Sequence, residues 1–216
     1  MRNSIYVGIL VAAFLGCASI QEASKPEVTA ESVGACLYKV HNRGAIPLSL
    51  VKDIVAALRE TPDSVFAVNN NDDIYSSVAN EMAPYRSLKH RAAVMGNVMM
   101  VQAAFESSFK YGEGRDQSAS NTAACTEEAG LYQTSGNMNT FNAEAKATLV
   151  PFQASLCKST TCDEFRRCTK EPVKAFVHGH FMRATRITTR HWGPMVRKEI
   201  NPWLKRECVK QIEALL

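Results

Sequence analysis

Glu106 stands where a carboxylic acid is best able to keep its proton. It follows Phe105, precedes Phe109, and closes a segment, residues 88–105, rich in Ala, Val and Met. Burial beside apolar side chains disfavours the charged form of a carboxyl group, so its pKa rises and it becomes a general acid near neutral pH. A Glu on a solvated helix face would do no such chemistry, and on Glu106 alone that solvated reading is the stronger. The residues downstream bear on that choice: a polar loop, then Ala129-Gly130-Leu131-Tyr132-Gln133-Thr134-Ser135.

A Glu-Ser at the end of a core helix, followed after a loop by Gly-Leu-x-Gln, resembles the goose-type lysozyme and soluble lytic transglycosylase superfamily. Glu106-Ser107 and Gly130-Leu131-Tyr132-Gln133 are the matching residues, with Tyr132 where the family usually has Met. The resemblance covers about thirty residues directly. It implies a lysozyme-like fold and cleavage of peptidoglycan glycan strands at the bond between MurNAc and GlcNAc, with Glu106 as the acid. Protonating the leaving oxygen as an oxocarbenium-like transition state develops is the task such an acid performs. The resemblance further implies that Gly130, Leu131, Tyr132 and Gln133 line the groove, with Gln133 touching sugar and Tyr132 stacking on a ring. Ser107 and Ser108 then bond the carboxylate or the glycan, or else simply cap the helix end. The family's later Tyr-Asn-Ala-Gly has no clean match; Ala175-Phe176-Val177-His178-Gly179 occupies its place, with His178 where the Asn would be.

A second carboxylate decides the product. Goose-type lysozymes hold the attacking water with aspartates in the loop and just after the Gln, and here the latter place is Ser135. Asp116 is the preferred stand-in for the loop aspartate, with Glu113, Glu127 and Glu128 also near in sequence. A water held by a carboxylate gives a reducing sugar. If Glu106 works alone, the muramic 6-hydroxyl closes a 1,6-anhydro ring, as in lytic transglycosylases. The acidic residues near Glu106 also admit a substrate with free amines, such as de-N-acetylated glycan.

Other motifs point elsewhere and carry less. Ser107-Ser108-Phe109-Lys110 matches the S-x-x-K of serine acyl-enzymes, but no K-T-G is present and the motif falls at a helix end, not a start. His178 and His180 are two apart, so on a helix they face different ways and chelate poorly. No HExxH and no Cys pair of two-residue spacing exists, so no metal and no cofactor is expected. Arg183, Arg186 and Arg190 read as a solvated face, and Trp192 and Trp203 as anchors of C-terminal helices.

These residues need a scaffold, and its pattern is helical. In residues 47–58, Leu48, Val51, Ile54, Val55 and Leu58 fall on one face. The strongest helix starts at Ser87, a natural N-cap. A stripe through Ala92, Met95, Met99 and Ala103 should face the core. Gly96 in mid-helix costs about 1 kcal/mol unless a neighbour crosses closely there. Residues 61–75 and 115–126 read as loops, and 141–157, 171–191 and 194–216 as further helices. The expected fold is a predominantly α, lysozyme-like single domain, disulfide-stabilised, with at most a small β element near residues 131–134.

The N-terminus bears on compartment. Arg2 is followed by the uncharged apolar run 5–16, about the length of a signal-peptide core and too short to span a bilayer. Cys17 after Leu15-Gly16 suits a lipoprotein site, where diacylation would anchor the chain to a membrane; cleavage after Ala18 is the alternative. The expected organisation is a signal peptide at 1–17, a polar tether at 18–31 and a catalytic domain at 32–216. With Cys17 set aside, six of the seven cysteines remain, an even number that in an exported chain reads as disulfides with fifteen possible pairings. A net charge of +4 is far from the footprint of a nucleic-acid binder. The expected location is periplasmic, outer-membrane-tethered or secreted, and the expected partner is the peptidoglycan strand. The alternative from another class is a lysozyme-fold lipoprotein that binds peptidoglycan without cutting it.

Overall fold

A computed structural model describes residues 25–67, 74–78, 82, 87–115, 123, 125–135, 158, 161–168 and 193–216. The described elements are predominantly helical. In chain order the main ones are α1 (Leu48–Glu60), α2 (Leu88–Ser107), strands β1 (Glu128–Ala129) and β2 (Thr134–Ser135), α3 (Cys162–Cys168) and α4 (Arg206–Leu215). A π-helical stretch, Val196–Ile200, and a 3-10 turn, Asn201–Trp203, lead into α4.

α2 is the axis of the molecule. The Ser87 hydroxyl accepts from the backbone N–H of His90 at 3.0 Å, the expected cap. The expected single apolar stripe is an understatement: burial runs around the whole circumference, including Ala93, Val94, Val101 and Ala104. A helix apolar on all sides must be enclosed on all sides, and α1, α4 and the π-helical stretch all pack on it. Gly96 marks the crossing. A Cβ there would lie 2.9 Å from Leu58 Cδ1, 3.4 Å from Ile54 Cγ2 and 3.5 Å from Ile212 Cδ1, so side chains of α1 and α4 converge on it.

α1 buries Val51, Ile54, Val55 and Leu58 as its spacing predicts, and Leu50 and Ala57 as well. Asn97 is fully buried in α2 and has a tertiary task. Its Nδ2 donates to the Tyr38 hydroxyl at 2.9 Å, and its Oδ1 accepts from the backbone N–H of Lys205 at 2.8 Å, at the entry to α4. Arg59 donates to the Leu215 carbonyl at 3.1 and 2.8 Å, tying the ends of α1 and α4.

Disulfides join Cys36 to Cys208 and Cys125 to Cys162, and Cys168 is disulfide-bonded as well. The end of the expected tether belongs to the fold: Val28 is buried, and the Pro26 carbonyl accepts from Arg59. The polar composition of that stretch hid a single anchoring valine. The expected helices at 141–157 and 171–191 lie outside the described residues.

Candidate active site

The site begins where α2 stops. Ser108 and Phe109 both take left-handed backbone conformations, with φ of 51° and 66°. Their N–H groups bond back to the carbonyls of Ala104 (3.0 Å) and Ala103 (3.2 Å), which closes the helix and turns the chain sharply. Neither residue is a glycine, so each such conformation carries a local cost. Glu106 sits in the last turn, just before this reversal.

A short hairpin faces that turn. β1 and β2 pair antiparallel, Glu128 opposite Ser135 and Ala129 opposite Thr134, so Gly130-Leu131-Tyr132-Gln133 is the turn between them. Gly130 (φ 80°) and Gln133 (φ 48°) supply the left-handed residues the turn requires. Two bonds lock it to the end of α2 and to the loop that follows. The Ser107 hydroxyl donates to the Leu131 carbonyl at 2.8 Å, and the Gly130 N–H donates to the Glu113 carbonyl at 2.9 Å. Cys125–Cys162 staples the approach to β1 onto α3, and Arg166 of α3 pairs with Glu127. A third brace comes from α1, where Asp53 accepts a 2.6 Å bond from the Tyr111 hydroxyl.

Between the helix end and the hairpin lies a cleft of ≈ 420 Å³ whose lining includes Phe105, Glu106, Ser107, Ser108, Glu128 and Gln133. Among the described residues no side chain or backbone group hydrogen-bonds or ion-pairs with the Glu106 carboxyl. Burial, then the negative charges of Glu128 and Glu199, push its pKa up from the usual carboxylate range to about 8. Near neutral pH the group is therefore mostly protonated and opens onto the cleft, the state of a general acid awaiting a basic oxygen.

The resemblance's groove residues divide in two. Ser107, Ser108 and Gln133 line the cleft. Gln133 is largely buried, and its Nε2 donates to the Gly130 carbonyl at 3.0 Å, so part of its amide braces its own turn. Ser107 has a structural task in the clip to Leu131. Leu131 and Tyr132 point inward, each only 3 % exposed. The expectation that Tyr132 stacks on a sugar ring is corrected: the tight turn directs the ring into the core beside Tyr111 and Asp53. There burial, with those two neighbours, raises its hydroxyl pKa.

No protein-family model matches the chain, and neither a curated protein nor a solved structure matches it. The site therefore stands on its own chemistry. Asp116, the preferred second carboxylate, lies outside the described residues, as do His178 and Cys17. Glu127 is held in ion pairs with Arg115 and Arg166. Two carboxylates share the cleft with Glu106 among the described residues: Glu113, which lies 3.4 Å from Lys110, and Glu128, whose charge helps to raise the Glu106 pKa. Glu199 and Arg43 went unremarked in the sequence because each reaches the site from a remote element. Glu199 comes from the π-helical stretch and Arg43 from the turn before α1. No local motif signals either.

Proposed function

We propose that this chain is a lysozyme-like glycosidase that cuts peptidoglycan glycan strands, with Glu106 as the proton donor. One observation carries the reading: a partly buried carboxyl, unpartnered among the described residues and raised to about 8, at the wall of a cleft built by a helix end and a Gly-Leu-Tyr-Gln turn. In the proposed step the Glu106 proton passes to the glycosidic oxygen between MurNAc and GlcNAc as the C1–O bond breaks. Water then attacks the oxocarbenium-like carbon and gives its proton to Glu128. This leaves Glu106 ionised and Glu128 protonated until solvent resets both. The presence of Glu128 in the same cleft favours hydrolysis, and hence a reducing sugar, over 1,6-anhydro ring closure. Export through the N-terminal apolar run and tethering through Cys17 complete the proposal.

The test is digestion of purified sacculi, acetylated and de-N-acetylated, with mass analysis of the soluble fragments. Wild type should release muropeptides with reducing ends, and Glu106→Gln should release almost none. Equal release by Glu106→Gln would overturn the assignment of the acid. Binding to sacculi with no release by wild type would favour the non-cutting alternative. Anhydro ends would remove Glu128 from the mechanism.

A further inference from the structure

We infer that Arg43 is a specificity residue of this cleft, and that it holds a carboxylate of the substrate beside the bond being cut. Among the described residues three cations line the cleft: Arg43, Lys110 and Arg115. Two already have carboxylate partners. Lys110 lies 3.4 Å from Glu113, and Arg115 lies 3.8 Å from Glu127. Among the described residues no carboxylate pairs with Arg43. Nor is it hydrogen-bonded or ion-paired to Glu106, whose pKa stays raised by burial and by the charges of Glu128 and Glu199. A guanidinium in this position is neither the acid's counter-ion nor part of a structural pair.

The turn that presents Arg43 is well braced. The Val40 N–H donates to the Gly44 carbonyl and the Arg43 N–H to the Val40 carbonyl, both at 2.9 Å. Gly44 (φ 104°) permits the reversal, and Lys39 bridges to Ala45. His41 sits edge-on to Trp203 with ring centroids 5.9 Å apart, fastening the turn to the segment that leads into α4. The guanidinium lies 6.0 Å from the centre of the Phe105 ring, and its Nη1 donates a long 3.5 Å bond to the Ser108 hydroxyl. These contacts hold the exposed group on the lining of the cleft, beside the two residues that flank Glu106 in space, Phe105 and Ser108. A planar fork held this way, whose other N–H groups bond to none of the described residues, fits a carboxylate through paired bonds.

In a glycan strand of the proposed class, a carboxylate occurs in two places. A muramic residue without its peptide exposes the lactyl carboxylate, and a substituted one bears carboxylates on the peptide stem. A GlcNAc oligomer has neither. The inference rests on the proposed function, so binding is best measured separately from cleavage, in a Glu106→Gln background, by calorimetry. The probes are peptide-free glycan oligosaccharides, stem-bearing ones and a GlcNAc oligomer of equal length. Adding Arg43→Gln should weaken binding of the carboxylate-bearing oligosaccharides about tenfold and leave the GlcNAc oligomer unchanged. Adding Arg43→Lys, which keeps the charge and loses the fork, should fall between. A larger loss with peptide-free than with stem-bearing strands assigns the lactyl group, and the reverse assigns the stem. An equal loss on all three probes, or no loss on any, overturns the inference and leaves the glycosidase reading standing. If the Glu106→Gln parent binds none of the probes, the glycosidase reading fails first and takes this inference with it.

Discussion

The two ends of α2 obey different rules. From Ala92 to Ala104 the helix is enclosed on every side, and Gly96 admits its neighbours to van der Waals contact; of its two fully buried amides, Asn97 is bonded at both ends and Gln102 has no hydrogen-bond partner among the described residues. From Phe105 to Phe109 the same helix ends in two left-handed non-glycine residues and a carboxyl without a partner among the described residues, facing a cleft. The first region is packed shut, and its one unmet polar group among the described residues, the Gln102 amide, faces no cleft that they line. The second leaves a carboxyl unsatisfied and a backbone turn unfavourable. The end of α2 thus combines a cleft-facing carboxyl with unfavourable backbone, and that combination supports the role proposed for it.

The largest test of this contrast is Glu106→Gln. Loss of a general acid should cut the rate by on the order of 10²–10⁴-fold, and the wild-type rate should fall as pH rises through about 8. Stability should move the other way. Below the ordinary carboxyl pKa of 4.5 the folded and unfolded chains both hold the proton. Above that value the unfolded chain releases it, while the folded chain keeps it until about 8, so wild type loses stability across that interval. Glu106→Gln should match wild type near pH 4 and exceed it by roughly a few kcal/mol at pH 8–9 in urea denaturation. A variant no more stable than wild type at pH 8 would mean that the carboxyl is not held against its solvation preference, and the contrast would fail.

The enclosed region should respond in the opposite sense. Cys36–Cys208 joins segments 172 residues apart, and Cys208 lies on α4 against α2. Replacing both cysteines with alanine should lower stability by about 4 kcal/mol, through freedom returned to the unfolded chain. A shift in urea midpoint with an unchanged rate per folded molecule is the expected result. Asn97→Ala should cost about 2 kcal/mol, because the Lys205 N–H and the Tyr38 hydroxyl each lose a buried partner. Burial already pushes the Tyr38 pKa up to about 12, so that hydroxyl stays a neutral group in need of a bond. If Asn97→Ala unfolds at the wild-type urea concentration, the Asn97 bonds add nothing to the hold of α4 on α2.

Sequence legibility follows the same division. Local signals were enough where one segment makes its own environment: Ser87 as the cap, the buried face of α1, and Glu106 placed between two phenylalanines before a turn. Spacing failed where distant segments meet. Six cysteines permit many pairings, and nothing in their intervals selects Cys36 with Cys208. The stripe through Met95 and Met99 could not announce burial of the opposite face, since that depends on how many partners surround the helix. Tyr132 was misread because its direction is set by the left-handed turn at Gly130 and Gln133, a property of backbone and not of residue type. Arg43 and Glu199 act on the site only after folding brings a turn before α1 and a π-helical stretch to the end of α2.

Ser108 gives the smallest and most discriminating comparison. Its φ of 51° suits glycine better than serine, so Ser108→Gly should raise stability by up to about 1 kcal/mol, with the same helix end and less strain. The replacement also removes the hydroxyl that Arg43 reaches and that lines the cleft. If that hydroxyl helps to order the cleft mouth, the more stable variant should show a KM raised a few-fold with kcat little changed, since the acid itself is untouched. A gain in stability with both constants unchanged would make Ser108 an ordinary imperfect helix cap. A gain in stability joined to a weaker hold on substrate would tie the unfavourable backbone at the end of α2 to the cleft it borders.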